Sequence, residues 1–208
     1  MDLSLWFAFV AASTALLLIP GPTVLLVLAH ALGQGRRVAV PTALGVAAGD
    51  LAAMSLSLAG LGALVATSAA AFTVLKWIGA AYLVWLGVRM IRSAGSTLSV
   101  AAAAPVNARR AFGHAAAVTA LNPKSIAFFI AFVPQFVDPA HPLLPQFAIL
   151  VATFVTLALV TALAYALAAD RLRRSLRRPA VLTWLGRAGG GALVAMGVAT
   201  ALLRRPAV

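Results

Sequence analysis

Asp50 and Lys124 are the two residues of this chain whose type and setting most plainly suggest chemistry. Both lie within long apolar stretches, in a sequence whose 208 residues include only four acids and 16 basic residues. Only two of those basic residues are lysines, Lys76 and Lys124, and both fall in hydrophobic stretches, whereas the arginines mostly flank them. Lysine gives up its proton when desolvated and arginine effectively does not. An ionisable group in hydrocarbon costs several kcal/mol unless it is paired or neutralised, and by default it marks a transport path. Asp50 lies twelve residues into its stretch, about 18 Å along a helix, and suits a proton carrier. The preceding Gly45-Val46-Ala47-Ala48-Gly49 is a small-xxx-small face that lets helices approach closely, with Gly49 beside Asp50. Lys124 is expected to bind a carboxylate or to pair with Asp50. Lys76, about two turns from the outer end of its stretch, is read either as part of the path or as a snorkelling side chain.

Two further segments interrupt the apolar stretches. Ile19-Pro20-Gly21-Pro22-Thr23 and Leu121-Asn122-Pro123-Lys124 place prolines where a helix would otherwise continue. Proline removes a backbone donor and clashes with the preceding turn, so both helices should break. Each break leaves a half-helix N-terminus, at Thr23 and at Lys124, whose unpaired amides and positive dipole end favour a carboxylate. Gln135 is a polar residue among the phenylalanines that follow the second break, and Phe128, Phe129, Phe132 and Phe136 read as packing. His30, His114 and His141 have no metal-ligand spacing, and cysteine is absent, so no metal site is expected. No cofactor motif or nucleophile constellation occurs.

These residues need a bilayer around them. The chain is 63% hydrophobic and 10% charged, against about 45–50% and 25% in soluble domains. That composition excludes disorder, collagen and a disulfide-rich module. Six stretches satisfy the need for about 20 apolar residues per span: Leu3–Leu32, Val38–Val65, Ala70–Ile91, Ala111–Val137, Leu143–Ala168 and Val181–Leu203. The expected fold is an all-α polytopic membrane protein whose 208 residues form one transporter domain. The first stretch is too long for a cleavable signal and lacks a basic n-region. Arg36 and Arg37, then Arg89, Arg92, Arg109 and Arg110, then Arg171, Arg173, Arg174, Arg177 and Arg178 flank alternate ends of the stretches. The positive-inside rule puts these three basic loops in the cytoplasm and both termini outside, with Arg204 and Arg205 a mild exception. The +12 charge therefore orients the protein and leaves no basic face for nucleic acid.

Pro22 and Pro123 are 101 residues apart, near half the chain. Trp77-Ile78-Gly79 in the third stretch echoes Trp184-Leu185-Gly186 in the sixth. Two landmarks in the same order predict inverted three-helix repeats, about 1–100 and about 105–208, with the first and fourth helices broken.

Together these motifs resemble one family across essentially the whole chain. Pro20-Gly21-Pro22, Gly45 to Asp50, Lys76-Trp77-Ile78-Gly79-Ala80-Ala81-Tyr82-Leu83, and Asn122-Pro123-Lys124 through Pro134-Gln135-Phe136 are similar to the LysE/RhtB amino-acid exporters. The resemblance implies a bacterial inner-membrane exporter of amino acids or close derivatives, driven by protons and needing no cofactor. The implied partners are an amino-acid substrate, the lipid bilayer and protons, and the glycine-rich faces leave room for a homo-oligomer. The Pro-Gly-Pro and Asn-Pro-Lys segments are the ones it places on the transport path. The related alternative is a metal or small-ion exporter through carboxylate and carbonyl sites. A membrane-embedded enzyme is a more distant reading, because no catalytic constellation can be assembled.

Overall fold

A computed structural model describes residues 2–19, 21–94, 104–138, 141–176 and 179–202. Pro20, Arg177, Arg178, Arg204 and Arg205 lie outside the described residues, as do nine residues of the central linker. The described residues form eight α-helices: α1 (Leu3–Leu18), α2 (Pro22–Gln34), α3 (Arg36–Thr67), α4 (Ala69–Arg92), α5 (Ala108–Ala120), α6 (Pro123–Ala131), α7 (Leu143–Leu176) and α8 (Pro179–Leu202). A short 3-10 turn, Val133–Phe136, follows α6. Helix is what a bilayer demands of such a sequence, because every backbone amide must find its partner within the segment.

Four of the helices, α3, α4, α7 and α8, are each long and apolar enough to cross a membrane. Two more spans result if α1 with α2, and α5 with α6 and its turn, each count as one broken span, bent by more than 40°. Both breaks fall where the prolines predict them. Pro22 and Pro123 open α2 and α6, where a missing amide costs nothing because first-turn amides have no helical partner.

The boundaries depart from expectation at α7. Its apolar stretch ends near Ala168, yet the helix runs to Leu176 and spans 34 residues, about 50 Å at 1.5 Å per residue. Arg171, Arg173 and Arg174 are therefore helical rather than in a loop. Arginine, leucine and alanine are strong helix formers, and nothing in that segment stops the helix. Gly35 alone joins α2 to α3 at φ +68°, a left-handed conformation that glycine adopts without a steric penalty.

The bundle holds two hydrophobic cores. One gathers Phe9 and Leu16 of α1, Met54 and Leu58 of α3, Phe128, Phe129 and Phe132 of the α6 region, Leu150 and Phe154 of α7, and Leu193 of α8. The other gathers Val27 and Leu28 of α2, Ala39, Ala43 and Val46 of α3, Ala115 of α5, and Ala162 and Ala166 of α7. On α3 the cores end at Val46 and resume at Ala53, and Asp50 occupies the gap. The helix breaks and Asp50 therefore lie at one level, between the cores.

Two seams bring helix backbones unusually close. Along α3 and α5, Gly45 faces the Phe112 carbonyl and Gly49 faces the Ala116 carbonyl. Along α4 and α8, Gly87 and Gly190 face each other's carbonyls, and Gly197 faces that of Ala80. Small residues at such crossings let van der Waals packing hold helices together where lipid offers no hydrophobic drive.

Candidate functional site

Asn122 ends the α5 segment in an extended conformation (φ −71°, ψ 111°) and caps α6, its side-chain oxygen accepting from the Lys124 amide at 3.1 Å. Its Nδ2 donates to Thr23 Oγ1 at 3.3 Å, and Thr23 in turn lies 3.4 Å from Thr119 Oγ1. The two breaks, about half a chain apart in sequence, thus touch through one amide and two hydroxyls. Local sequence forces each break, and this contact sets their mutual position.

Lys124 crosses from α6 to the end of α1. Its Nζ donates to the carbonyls of Leu16 at 3.2 Å and Ile19 at 3.3 Å, and Gly21 lies beside the ammonium. The last four carbonyls of a helix lack helical partners and carry its negative dipole end. Lys124 supplies both donors and charge to that end, and the Tyr165 hydroxyl donates to the Leu18 carbonyl at 3.1 Å. Helix α1 can stop inside the bundle because side chains from α6 and α7 satisfy it.

Asp50 is 2% exposed, and its Oδ1 is buried without a hydrogen-bond partner. It shares a small cavity with Lys124, Thr23, Asn122, Ser125 and Thr161, whose apolar wall includes Val24, Val46 and Ala162. The cavity offers about 30 Å³ to the centre of a water molecule, and one water needs roughly 10–15 Å³ on that measure. It has room for a water or two, so an amino acid enters only if the helices part. Asp50 and Lys124 do not pair. Among the described residues, the ion pair is His141–Asp138 at 2.9 Å, far along the chain in the turn before α7.

The geometry therefore gathers Thr23, Asp50, Asn122 and Lys124 around one cavity, with Gly21, Pro22 and Pro123 shaping the breaks beside it. Gly49 stands one step back, on the α3–α5 seam. Two candidates lie elsewhere. Gln135 donates to Thr200 Oγ1 at 2.7 Å and ties the 3-10 turn to α8. Lys76 sits with its ammonium 5.7 Å from the centre of the Trp77 ring, outside the cavity. Ser125, Thr119, Thr161 and Tyr165 join the site without having been singled out in the sequence. Ser125 carried a usable signal, since it follows Pro123-Lys124 in the first turn of α6. Phe128, Phe129, Phe132 and Phe136 are packing, as their spacing suggests, with Phe129 edge-on to Phe154 at 4.9 Å between ring centres.

Comparison with known proteins agrees with this architecture. The model for the LysE type translocator family matches residues 5–204. The homoserine/homoserine lactone efflux protein of Salmonella typhimurium (strain LT2) is 35% identical over 204 residues, covering 98% of this chain and 99% of that protein. An uncharacterized membrane protein of Vibrio cholerae serotype O1 is 33% identical over 198 residues, covering 95% and 97%. The leucine efflux protein of Enterobacter sp. (strain 638) is 34% identical over 137 residues, covering 65% of this chain and 64% of that one. No solved structure matches. With its helices, its broken spans and a match across nearly its whole length, the chain belongs to the LysE type translocator family and is a membrane transporter rather than an enzyme.

Proposed function

We propose that the chain exports an amino acid or a close derivative across the bacterial inner membrane in exchange for protons. The observation that carries this reading is the meeting of two broken helices at a cavity lined by Lys124 and Asp50. The half-helix N-termini of α2 and α6 and the Lys124 ammonium together favour a carboxylate. Asp50 is the group that exchanges the proton, being a buried carboxyl beside the cavity. The relatives named for homoserine, homoserine lactone and leucine efflux support the substrate class.

Transport proceeds by alternating access, with two inverted three-helix halves moving about the level of the breaks. In that scheme α1–α4 and α5–α8 are the halves, the arginine-flanked ends are cytoplasmic, and both termini are outside. The test is efflux from proteoliposomes loaded with L-homoserine, L-leucine or L-threonine, with and without an imposed proton gradient. Wild-type protein should show gradient-stimulated efflux of at least one of these, and Asp50→Asn and Lys124→Gln should lose it. Undiminished, gradient-dependent efflux in both variants would overturn the residue assignment.

A further inference from the structure

Asp50 and Lys124 face the same cavity, close enough for their charges to attract but not at ion-pair distance. Lys124 has three N–H donors, and two of them go to the Leu16 and Ile19 carbonyls. The third remains for a ligand. Across the cavity, Asp50 keeps a buried oxygen with no partner, and the two side chains form no ion pair. A buried carboxylate that is left unpaired costs several kcal/mol, and orphaned buried polar atoms are rare in folded proteins. Thr23 and Asn122, which also line the cavity, bond to each other at 3.3 Å, with Thr119 and the Lys124 amide as their further partners. Ser125 and Thr161 add hydroxyls to the lining, and the demand left at the charged groups is for a donor at Asp50 and an acceptor at Lys124.

Resting on the export reading above, we infer that the cavity is a zwitterion site in which Asp50 receives the α-ammonium of the substrate while Lys124 receives its carboxylate. An α-amino acid carries these two groups on one carbon, whatever its side chain, so the site reads the feature that all such substrates share. It also gives Asp50 two alternative occupants. A protonated carboxyl offers no charge to an ammonium, so proton and substrate exclude each other there, as exchange requires. Of the elements packed on α3, only α6 places another charged side chain at the cavity. His30 of α2 is 2.8 Å from Thr42 Oγ1 and, like His114 of α5, lies outside the lining, while α7 contributes Ala158, Thr161 and Ala162.

The test is competition against equilibrium binding of radiolabelled L-leucine or L-homoserine to purified wild-type and variant protein, a readout that survives in variants that no longer transport. Competing probes are the unlabelled parent, its N-acetyl derivative, which lacks the ammonium, and its amide, which lacks the carboxylate. Loss of a charge-assisted contact of about 1.4 kcal/mol or more is a factor of ten. The N-acetyl probe should therefore compete at least tenfold more weakly than the parent. In Asp50→Asn the parent and N-acetyl probes should converge, and in Lys124→Met the parent and the amide should converge. Equal competition by parent and N-acetyl probe in wild-type protein would overturn the inference while leaving export intact. So would an Asp50→Asn variant that weakens both probes by the same factor. If the wild type moves neither amino acid, nor L-threonine, in the efflux assay above, the export reading itself falls, and this inference with it.

Discussion

Replacing Gly49 by alanine should destabilise the bundle, whereas the same change at Gly60, eleven residues along the same helix, should not. A Cβ on Gly49 would lie 2.5 Å from the Ala116 carbonyl oxygen, 2.8 Å from Thr119 Cβ and 3.0 Å from the Ala120 nitrogen. Favourable contacts begin at about 3.5 Å, so α3 and α5 would have to part by roughly 1 Å. Two of the three obstacles are backbone and cannot rotate aside. A Cβ on Gly60 meets nothing within 4 Å. Both variants gain about 1 kcal/mol of helix propensity, so the difference between them isolates the overpacking, about 1–3 kcal/mol. At about 2–4 °C per kcal/mol for a chain of this size, the apparent Tm values in detergent should differ by about 2–12 °C, Gly49→Ala being the lower. Because Gly49 precedes Asp50 and abuts Thr119, the variant should also lose efflux in proteoliposomes. A Gly49→Ala protein melting at or above the Gly60→Ala protein would refute the close-packed seam.

Other perturbations test separate parts of the structure. Asn122→Ala removes the cap of α6 and the link to Thr23; loss of a cap alone costs about 0.5–2 kcal/mol, and thermal unfolding in detergent should register it alongside reduced efflux. Phe128→Ala empties a fully buried site beside Phe132 and Phe154 and should cost about 3–5 kcal/mol, read as a lower yield of monodisperse protein and a lower Tm. Gln146 accepts from the Asp138 amide and donates to the Asp138 and Pro142 carbonyls, so Gln146→Ala should release the turn before α7 and speed its cleavage by proteinase K without altering the rest of the digestion pattern.

The spans, the breaks and Asp50 were legible because lipid writes them into composition. A helix crossing hydrocarbon needs a long apolar run, which makes a proline pair or a lone carboxyl inside that run conspicuous. The end of α7 was not legible from hydropathy, since a helix need not end where the apolar run does, and Arg171 to Leu176 continue it by propensity alone. The partners of Lys124 were hidden for another reason. They are backbone carbonyls more than a hundred residues away, and a carbonyl has no sequence signature. Gln135 and Lys76 show the same limit from the other side. Their polarity within apolar stretches made them candidates, but only the packing places Gln135 against Thr200 and Lys76 beside Trp77.

The unequal cores bear on which end of the bundle opens more readily. The core around α1, the α6 region and α8 is rich in phenylalanine and leucine, each worth about 1.5–3 kcal/mol when fully buried. The core around α2, α5 and the later part of α7 is built largely of alanine and valine, and it already contains a polar pair, His30 with Thr42 at 2.8 Å. Admitting water there exposes less apolar area per residue. The α2 end should therefore open more often than the α6 end. The absence of cysteine from the chain makes this measurable with single replacements. Ala43 and Ala131 are each 0% exposed, one in each core, and Ala43→Cys and Ala131→Cys add the same single sulfur. A membrane-impermeant maleimide applied to both sides of the protein in nanodiscs should label Ala43→Cys faster. Equal labelling, or faster labelling of Ala131→Cys, would show that apolar area does not set the relative cost of opening the two ends.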